Sequence, residues 1–434
     1  MIQDNFKISF SQLISALSEA VDLVCPVLNN HHKQVAYISY KIANALNFSN
    51  EKLADLMIAG LLHDTGALSL NERIELLDFE EKDAYRHTIS GYILLEDLEI
   101  FKKAGEIIKH HHLPWANGAG TTYRGDSVHP ESHILYLSDR IAVSIDKNTG
   151  ILYQVKDILR KIKNQTDSRF HPRFVNIFEE LSVTKTFWLD IVSPYIDDKL
   201  GEIWKNFDKQ LDLEELLKIT RVFARIIDFR SRFTSIHSSG VEAVAKIIAQ
   251  KMNWSERDCT KIAIAGNLHD LGKLAIPNKI LEKPGKLTSE EYEIMKSHAY
   301  HGYRLLNKIK GLEEINKYGS FHHERIDGSG YPFKLKGEDL EEGSKIMAIA
   351  DVLTATTEDR PYRKEMEYAE AMGIIEKMGQ NSKLDTEIIA LVKENSEEIN
   401  FVKEKAQQEA AEKYRDFEKR IHLARNYYSL SKSF

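Results

Sequence analysis

The stretch "IHSSGVEAVAKIIAQKMNWSERD", residues 236–258, places Val241, Val244, Ile247 and Ile248 at helical spacing. A second stretch, "NHHKQVAYISYKIANALNFSNEK", residues 30–52, does the same with Val35, Ile38 and Ile42. Laid side by side, His31 aligns with His237 and Val35 with Val241. The register then holds. "LLHDTG" (61–66) faces "NLHDLG" (267–272), and the separations agree without a gap: 63 − 31 = 32 and 269 − 237 = 32. "HTISGY" at His87 faces "HAYHGY" at His298, and His111–His112 face His322–His323, since 111 − 87 = 24 and 322 − 298 = 24. "YLSDRIA" with Asp139 faces "AIADVLT" with Asp351, and "SRFHPRFVNIFEEL" corresponds loosely to "SKLDTEIIALVKEN". Such self-similarity marks a duplicated structural unit. Strand-like alternation is scarce, so the expected fold is all-α: two tandem helical bundles, joined near residues 195–215 and divided as 1–205 and 206–434.

Composition sets the outer limits. Of 434 residues, 42% are hydrophobic and 29% charged, an ordinary globular balance. The formal charge of −7 argues against a basic groove for duplex DNA or RNA. Cys25 and Cys259 lie far apart, without metal or redox spacing, and read as thiols in a reducing cytoplasm. The start, "MIQDNFKISF", lacks the pattern of a signal peptide. No apolar run approaches the ~18 residues of a membrane span, so a cytoplasmic protein is expected. The Glu-, Lys- and Ala-rich stretch from "EEINFVKEKAQQEAAEKY" onward suits a long, partly solvated terminal helix. Bundles with such helices often pair, which leaves a homodimer open.

The repeated residues are of metal-binding type. In the C-terminal copy they are His237, His269, Asp270, His298, His322, His323 and Asp351. A lone histidine on an apolar face is more often a core residue than a ligand, but seven donors kept in register twice are hard to ascribe to packing. Imidazole and carboxylate suit Fe, Mn, Zn or Ni. Seven donors exceed what a single tetrahedral zinc uses, so two divalent ions sharing a bridging carboxylate are expected, with Asp270 as the bridge. Two such ions can clamp the attacking and leaving oxygens of a phosphoryl displacement and supply hydroxide near neutral pH. Lys273, in "HDLGK", is placed to neutralise a phosphate oxygen, and "EDRPYRK" offers Arg360 and Arg363 as phosphate forks. Asp270 and Lys273 are the expected catalytic residues.

Three stretches, in this order, carry a resemblance: "HDLGKLAIPNKILEKPGKLTSEEYEIMKSH", "HHERIDGSGYP" and "AIADVLTATTEDRPYR". Over roughly residues 230–400 they resemble the HD-GYP domain, a branch of the HD phosphohydrolase superfamily. The resemblance implies a metal-dependent phosphodiesterase that linearises a cyclic dinucleotide, typically cyclic di-GMP, and sometimes cuts it to GMP. It favours Fe or Mn as the two ions. It also implies that Lys273, Arg360 and Arg363 contact substrate, and that Gly330, Tyr331 and Pro332 shape the entrance, with Tyr331 against the ligand. Two departures stand out. Some members hold a third metal with a glutamate four residues before the first histidine, where this chain has Phe233, so two metals are expected. Gly240 replaces a usual arginine and is expected to loosen local packing.

The N-terminal copy resembles the wider HD superfamily over roughly residues 25–190. It keeps a second candidate metal set: His31, His63, Asp64, His87, His111, His112 and Asp139. It has Ala67 at the lysine position, "LPWANGAG" in place of the GYP loop, and no "RPYR" after Asp139. A divergent, regulatory or metal-binding HD domain is the expectation. The competing functions are another HD-superfamily nucleotide phosphohydrolase, and a protein that senses cyclic dinucleotides without hydrolysing them.

Overall fold

The computed structural model describes residues 6–23, 30–67, 85–231, 234–359 and 363–429. Cys25, Phe233 and Arg360 lie outside them. The fold is all-α, as expected; the strands among the described residues are two-residue pieces that pair as two short ribbons.

In the first half of the chain the helices are α1 (Phe10–Asp22), α2 (His31–Ala45), α3 (Asn50–Leu62), α4 (Tyr85–Leu95), α5 (Glu99–Lys109), α6 (Pro130–Val143), α7 (Ile151–Lys163), α8 (Pro172–Ser182), α9 (Lys185–Ile191) and α10 (Ile196–Trp204). In the second half they are α11 (Leu213–Asp228), α12 (His237–Lys251), α13 (Glu256–Leu268), α14 (Asn278–Leu281), α15 (Ser289–Leu306), α16 (Glu313–Ser320), α17 (Glu342–Thr356), α18 (Tyr368–Gln380), α19 (Thr386–Glu394) and α20 (Ser396–Ser429). The terminal helix expected from composition is thus present.

The repeat is visible in the packing. Helix α2 packs on α3 and α6, α3 on α5, α4 on α5, and α5 on α6. The same five pairings recur as α12 on α13 and α17, α13 on α16, α15 on α16, and α16 on α17. Local signals are shared as well. Asn47 and Asn253 take left-handed φ values of 58° and 61° just past α2 and α12, a conformation asparagine tolerates and helix ends use. Two residues on, Ser49 and Ser255 accept from the backbone N–H of Lys52 and Asp258 and cap α3 and α13. The apolar residues that announced α2 and α12, from Val35 to Ile42 and Val241 to Ile248, are buried.

The chain packs as two units, and neither is a single run of sequence. One comprises residues 1–20 and 210–418, the other 21–209 and 419–434. The boundary expected between 205 and 206 lies beside the break at 209–210, and the two end segments fall in the opposite units. The physical reason for the first unit lies in a short ribbon: Ile8 and Ser9 pair antiparallel with Leu211 and Gln210. Glu19 on α1 also pairs with Lys308 at 2.6 Å. In the second unit Arg420 of α20 pairs with Glu96.

Candidate metal centre

All seven C-terminal candidates lie at helix starts, helix ends or on inward helix faces, and the fold brings them together. His237 is the first residue of α12, and His269 and Asp270 directly follow α13. His298 lies in α15, Asp351 in α17, and His322–His323 follow α16. Gly272 explains how the turn after Asp270 meets α15: a Cβ there would lie 1.9 Å from the His298 carbonyl oxygen. The "HDxG" pattern is a close-packing requirement as well as a candidate ligand motif. Gly66 does the same in the first copy, with the His87 carbonyl 2.0 Å from a hypothetical Cβ.

Asp270 sits between two groups. Its Oδ2 lies 3.2 Å from His269 Nε2 and 3.7 Å from His237 Nε2, while its Oδ1 lies 3.5 Å from His298 Nε2. His298 Nε2 is 3.4 Å from His322 Nε2. Asp351 spans the same two sides, with Oδ1 3.3 Å from His237 Nε2 and Oδ2 3.8 Å from His323 Nδ1. His237, His269 and Asp270 can converge on one ion, and His298, His322 and His323 on another.

The outer ring nitrogens fix the inner ones. His269, His298 and His322 donate Nδ1–H to the carbonyls of Gly266, Met295 and Gly319 at 2.7, 2.7 and 2.6 Å, which turns each Nε2 inward. Burial pushes His298 down to about 4 and His322 to about 3, so both rings are neutral and carry lone pairs at pH 7. Burial alone would raise the Asp270 carboxyl, but His269 and Lys273 beside it hold it well below the usual carboxylate range. His269 Nε2 is buried without a hydrogen-bond partner. A buried, unpaired imidazole nitrogen among ionised carboxylates is costly unless a cation is held there. The residues present therefore fit divalent metal ions.

The remaining C-terminal candidates divide. Lys273 Nζ lies 2.5 Å from Asp270 Oδ2, directly at the cluster. Tyr331 stands against the centre, its ring 4.7 Å from that of His323. Arg363 is turned elsewhere: its guanidinium donates to the carbonyls of Ala355 and Thr356 at 2.6 and 2.7 Å, closing the end of α17. An arginine so engaged is a helix cap rather than the open phosphate fork expected from "RPYR".

Three residues that matter were not expected. Glu358 accepts from His237 Nδ1 at 2.9 Å, and Gln407 on α20 donates to the other Glu358 oxygen at 2.6 Å. Glu324 accepts from the backbone N–H of Phe333 and Leu335 at 2.7 and 3.0 Å, pinning the Tyr331 loop. Both glutamates lie within stretches that drew notice, "EDRPYRK" and "FHHERIDGSGYP", but nothing local distinguishes them. Gly240 corrects an expectation. Far from loosening the site, it is where Thr354 Cγ2 and Gln407 Nε2 come within 2.7 and 2.8 Å of a would-be Cβ. The missing side chain makes room for the Gln407–Glu358 contact.

The N-terminal candidates also gather, around Asp64. Its Oδ2 lies 3.4 Å from His63 Nε2, its Oδ1 3.5 Å from His87 Nε2, and His87 Nε2 is 3.4 Å from His111 Nε2. His31 Nε2 is 3.3 Å from Asp139 Oδ1. Asp64, His87, His111 and His112 form one potential ligand group, and His31, His63 and Asp64 another. Asp139 differs from its counterpart: Arg140, almost wholly buried, donates to its Oδ2 from Nε at 3.1 Å and Nη2 at 2.7 Å.

Models of the HD domain match residues 29–144 and 221–388. The chain is 27% identical, over 91% of its length and 93% of the relative's, to 3'3'-cGAMP-specific phosphodiesterase 1 of Vibrio cholerae. Over 38% of its length and 45% of the relative's, it is 38% identical to a cyclic di-GMP phosphodiesterase of Thermotoga maritima. A crystal structure of a cyclic GMP-AMP-specific phosphodiesterase from V. cholerae shares the fold, with a TM-score of 0.61 at 22% identity over 89% of this chain and 97% of that one. Among the described residues no helix is long and apolar enough to cross a membrane. With one HD domain at 29–144, a second at 221–388 and a histidine–aspartate cluster in each, the chain carries two HD domains in tandem.

Proposed function

We propose that the second HD domain is a metal-dependent phosphodiesterase that hydrolyses a cyclic dinucleotide to the linear dinucleotide or to GMP. The observation that carries this is Asp270: a buried carboxylate with one oxygen toward His237 and His269, the other toward His298, and a lysine beside it. His237, His269, Asp270 and Asp351 would hold one divalent ion, and Asp270, His298, His322 and His323 a second, with Fe or Mn favoured. Such ions, when bound, lower the pKa of water and neutralise phosphate charge. Hydrolysis adds the oxygen of water to phosphorus, breaks the bond to a ribose oxygen and returns a proton to that oxygen. Asp270 holds the two donor groups in register for this. Lys273 brings an ammonium to where a non-bridging phosphate oxygen gains charge. Glu358 keeps the His237 ring in one tautomer, and Glu324 holds the loop that sets Tyr331 against His323.

As to which ring is cut, similarity through both HD domains to a relative named for 3'3'-cGAMP supports the mixed GMP–AMP ring. Cyclic di-GMP, the ring expected from the sequence, is supported by the higher identity, over 38% of the chain, to a relative named for it. Incubating the Mn- or Fe-loaded protein with each ring and resolving the products chromatographically tests both. Turnover of at least one ring is expected; none, with metal present, refutes the enzyme. Lys273→Ala separates an enzyme from a sensor, since it should lower turnover by about 10²–10³-fold while ligand binding stays measurable.

A further inference from the structure

The 206-residue offset that aligns His31 with His237 also aligns Asp22 with Asp228 and His32 with Ser238. In the second copy Asp228 is fully served by that serine. It accepts from the Ser238 backbone N–H at 3.0 Å and from its hydroxyl at 2.9 Å, capping the start of α12. In the first copy the same carboxylate accepts from the Nδ1–H of His32 instead. The histidine is wholly buried, and its second nitrogen, Nε2, has no hydrogen-bond partner. Capping needs only a hydroxyl, as Ser238 shows, so the imidazole is more than the fold requires.

Its surroundings bear on the role of the extra nitrogen. The His32 ring lies 4.9 Å from that of His63 and 5.5 Å from that of His31. Candidate ligand rings of the second centre stand at similar spacings: 4.9 Å between His269 and His322, and 5.3 Å between His237 and His269. His63 Nε2 is likewise buried without a hydrogen-bond partner. Two orphaned imidazole nitrogens side by side, one ring held by a carboxylate from behind, make the carboxylate–histidine arrangement that presents Nε2 to a metal. We infer that His32, held by Asp22, is an additional nitrogen donor of the N-terminal centre, shared with His31 and His63 toward a divalent transition-metal ion and absent from the C-terminal centre.

Cobalt tests this in the full-length chain. His269→Ala disables the C-terminal centre, so the remaining Co²⁺ uptake and visible ligand-field bands report the N-terminal one. On that background His32→Ser, which copies the Ser238 arrangement and keeps Asp22 satisfied, is expected to weaken Co²⁺ binding at least about 10-fold and to change the bands. Asp22→Asn, which leaves the ring but loosens its hold, is expected to weaken binding less. Unaltered affinity and bands in both variants overturn the inference, as does no Co²⁺ uptake before His32 is changed. Should His32→Ser not fold, the band shift in Asp22→Asn decides alone. Hydrolysis by a His32→Ser chain with His269 intact is read separately, so failure here is distinguishable from failure of the proposed phosphodiesterase.

Discussion

Asp139 and Asp351 hold the same place in the two copies and use their oxygens differently. Asp351 reaches His237 with one oxygen and His323 with the other, so it faces both donor groups. Asp139 reaches His31 with one, while Arg140 occupies the other. At the next position the second copy has Val352, which places no charge on the aspartate. The neighbouring positions diverge in the same sense: Lys273 against Ala67, Ser238 against His32. The donor scaffold recurs in both copies, and the few side chains that differ beside it separate the site proposed for substrate from the one proposed only to hold an ion.

The largest effect that can break this contrast is on the bridge. Asp270→Ala should lower cyclic dinucleotide hydrolysis by more than about 100-fold, beyond the cost of losing an outer-sphere partner. Asp64→Ala should leave turnover near wild type. Equal loss in both, measured by product chromatography, would make the N-terminal domain a second active centre. Next is Lys273→Ala, expected to lower kcat by about 10²–10³-fold, the magnitude of a lost transition-state donor, with metal per chain unchanged by elemental analysis. Glu358→Gln should weaken metal retention by the C-terminal centre about 10–100-fold in chelator competition while N-terminal retention stays constant. Gly240→Ala should cost about 1–3 kcal/mol in denaturant unfolding, the range for overpacking, because Thr354 and Gln407 must move.

The smallest effect is on pH and concerns both copies. His298 and His322 titrate at about 4 and 3 in the fold, and His87 at about 3, against about 6.5 unfolded. Their folded values are depressed, so the unfolded chain takes up protons first. The metal-free protein should hold its full stability above about pH 6.5 and lose it progressively as pH falls toward 4, as thermal melts can follow. A flat profile would show that the rings are not held neutral.

The donors could be read from sequence because the chain states them twice: His237, Asp270 and Asp351 are conspicuous once aligned with His31, Asp64 and Asp139. Helices α2 and α12 could be read from their apolar spacing. What could not be read depends on partners far along the chain. Glu358 meets His237 across 121 residues and Gln407 across 49, and no local pattern encodes either distance. The same contact made the expectation for Gly240 wrong, since the space beside it is filled from α20. Arg363 resembled a phosphate fork because sequence shows a guanidinium and not the carbonyls of Ala355 and Thr356 that it meets.

The exchanged ends of the chain have a practical corollary. A fragment beginning at 206 would lack Ile8, which pairs with Leu211, and the buried side chains of Leu13, Ile14 and Leu17. A fragment ending at 205 would forfeit the Arg420 partner of Glu96. Neither half can be excised cleanly, so losing either tip of the polypeptide should be felt in the folding of the bundle built mainly from the opposite half.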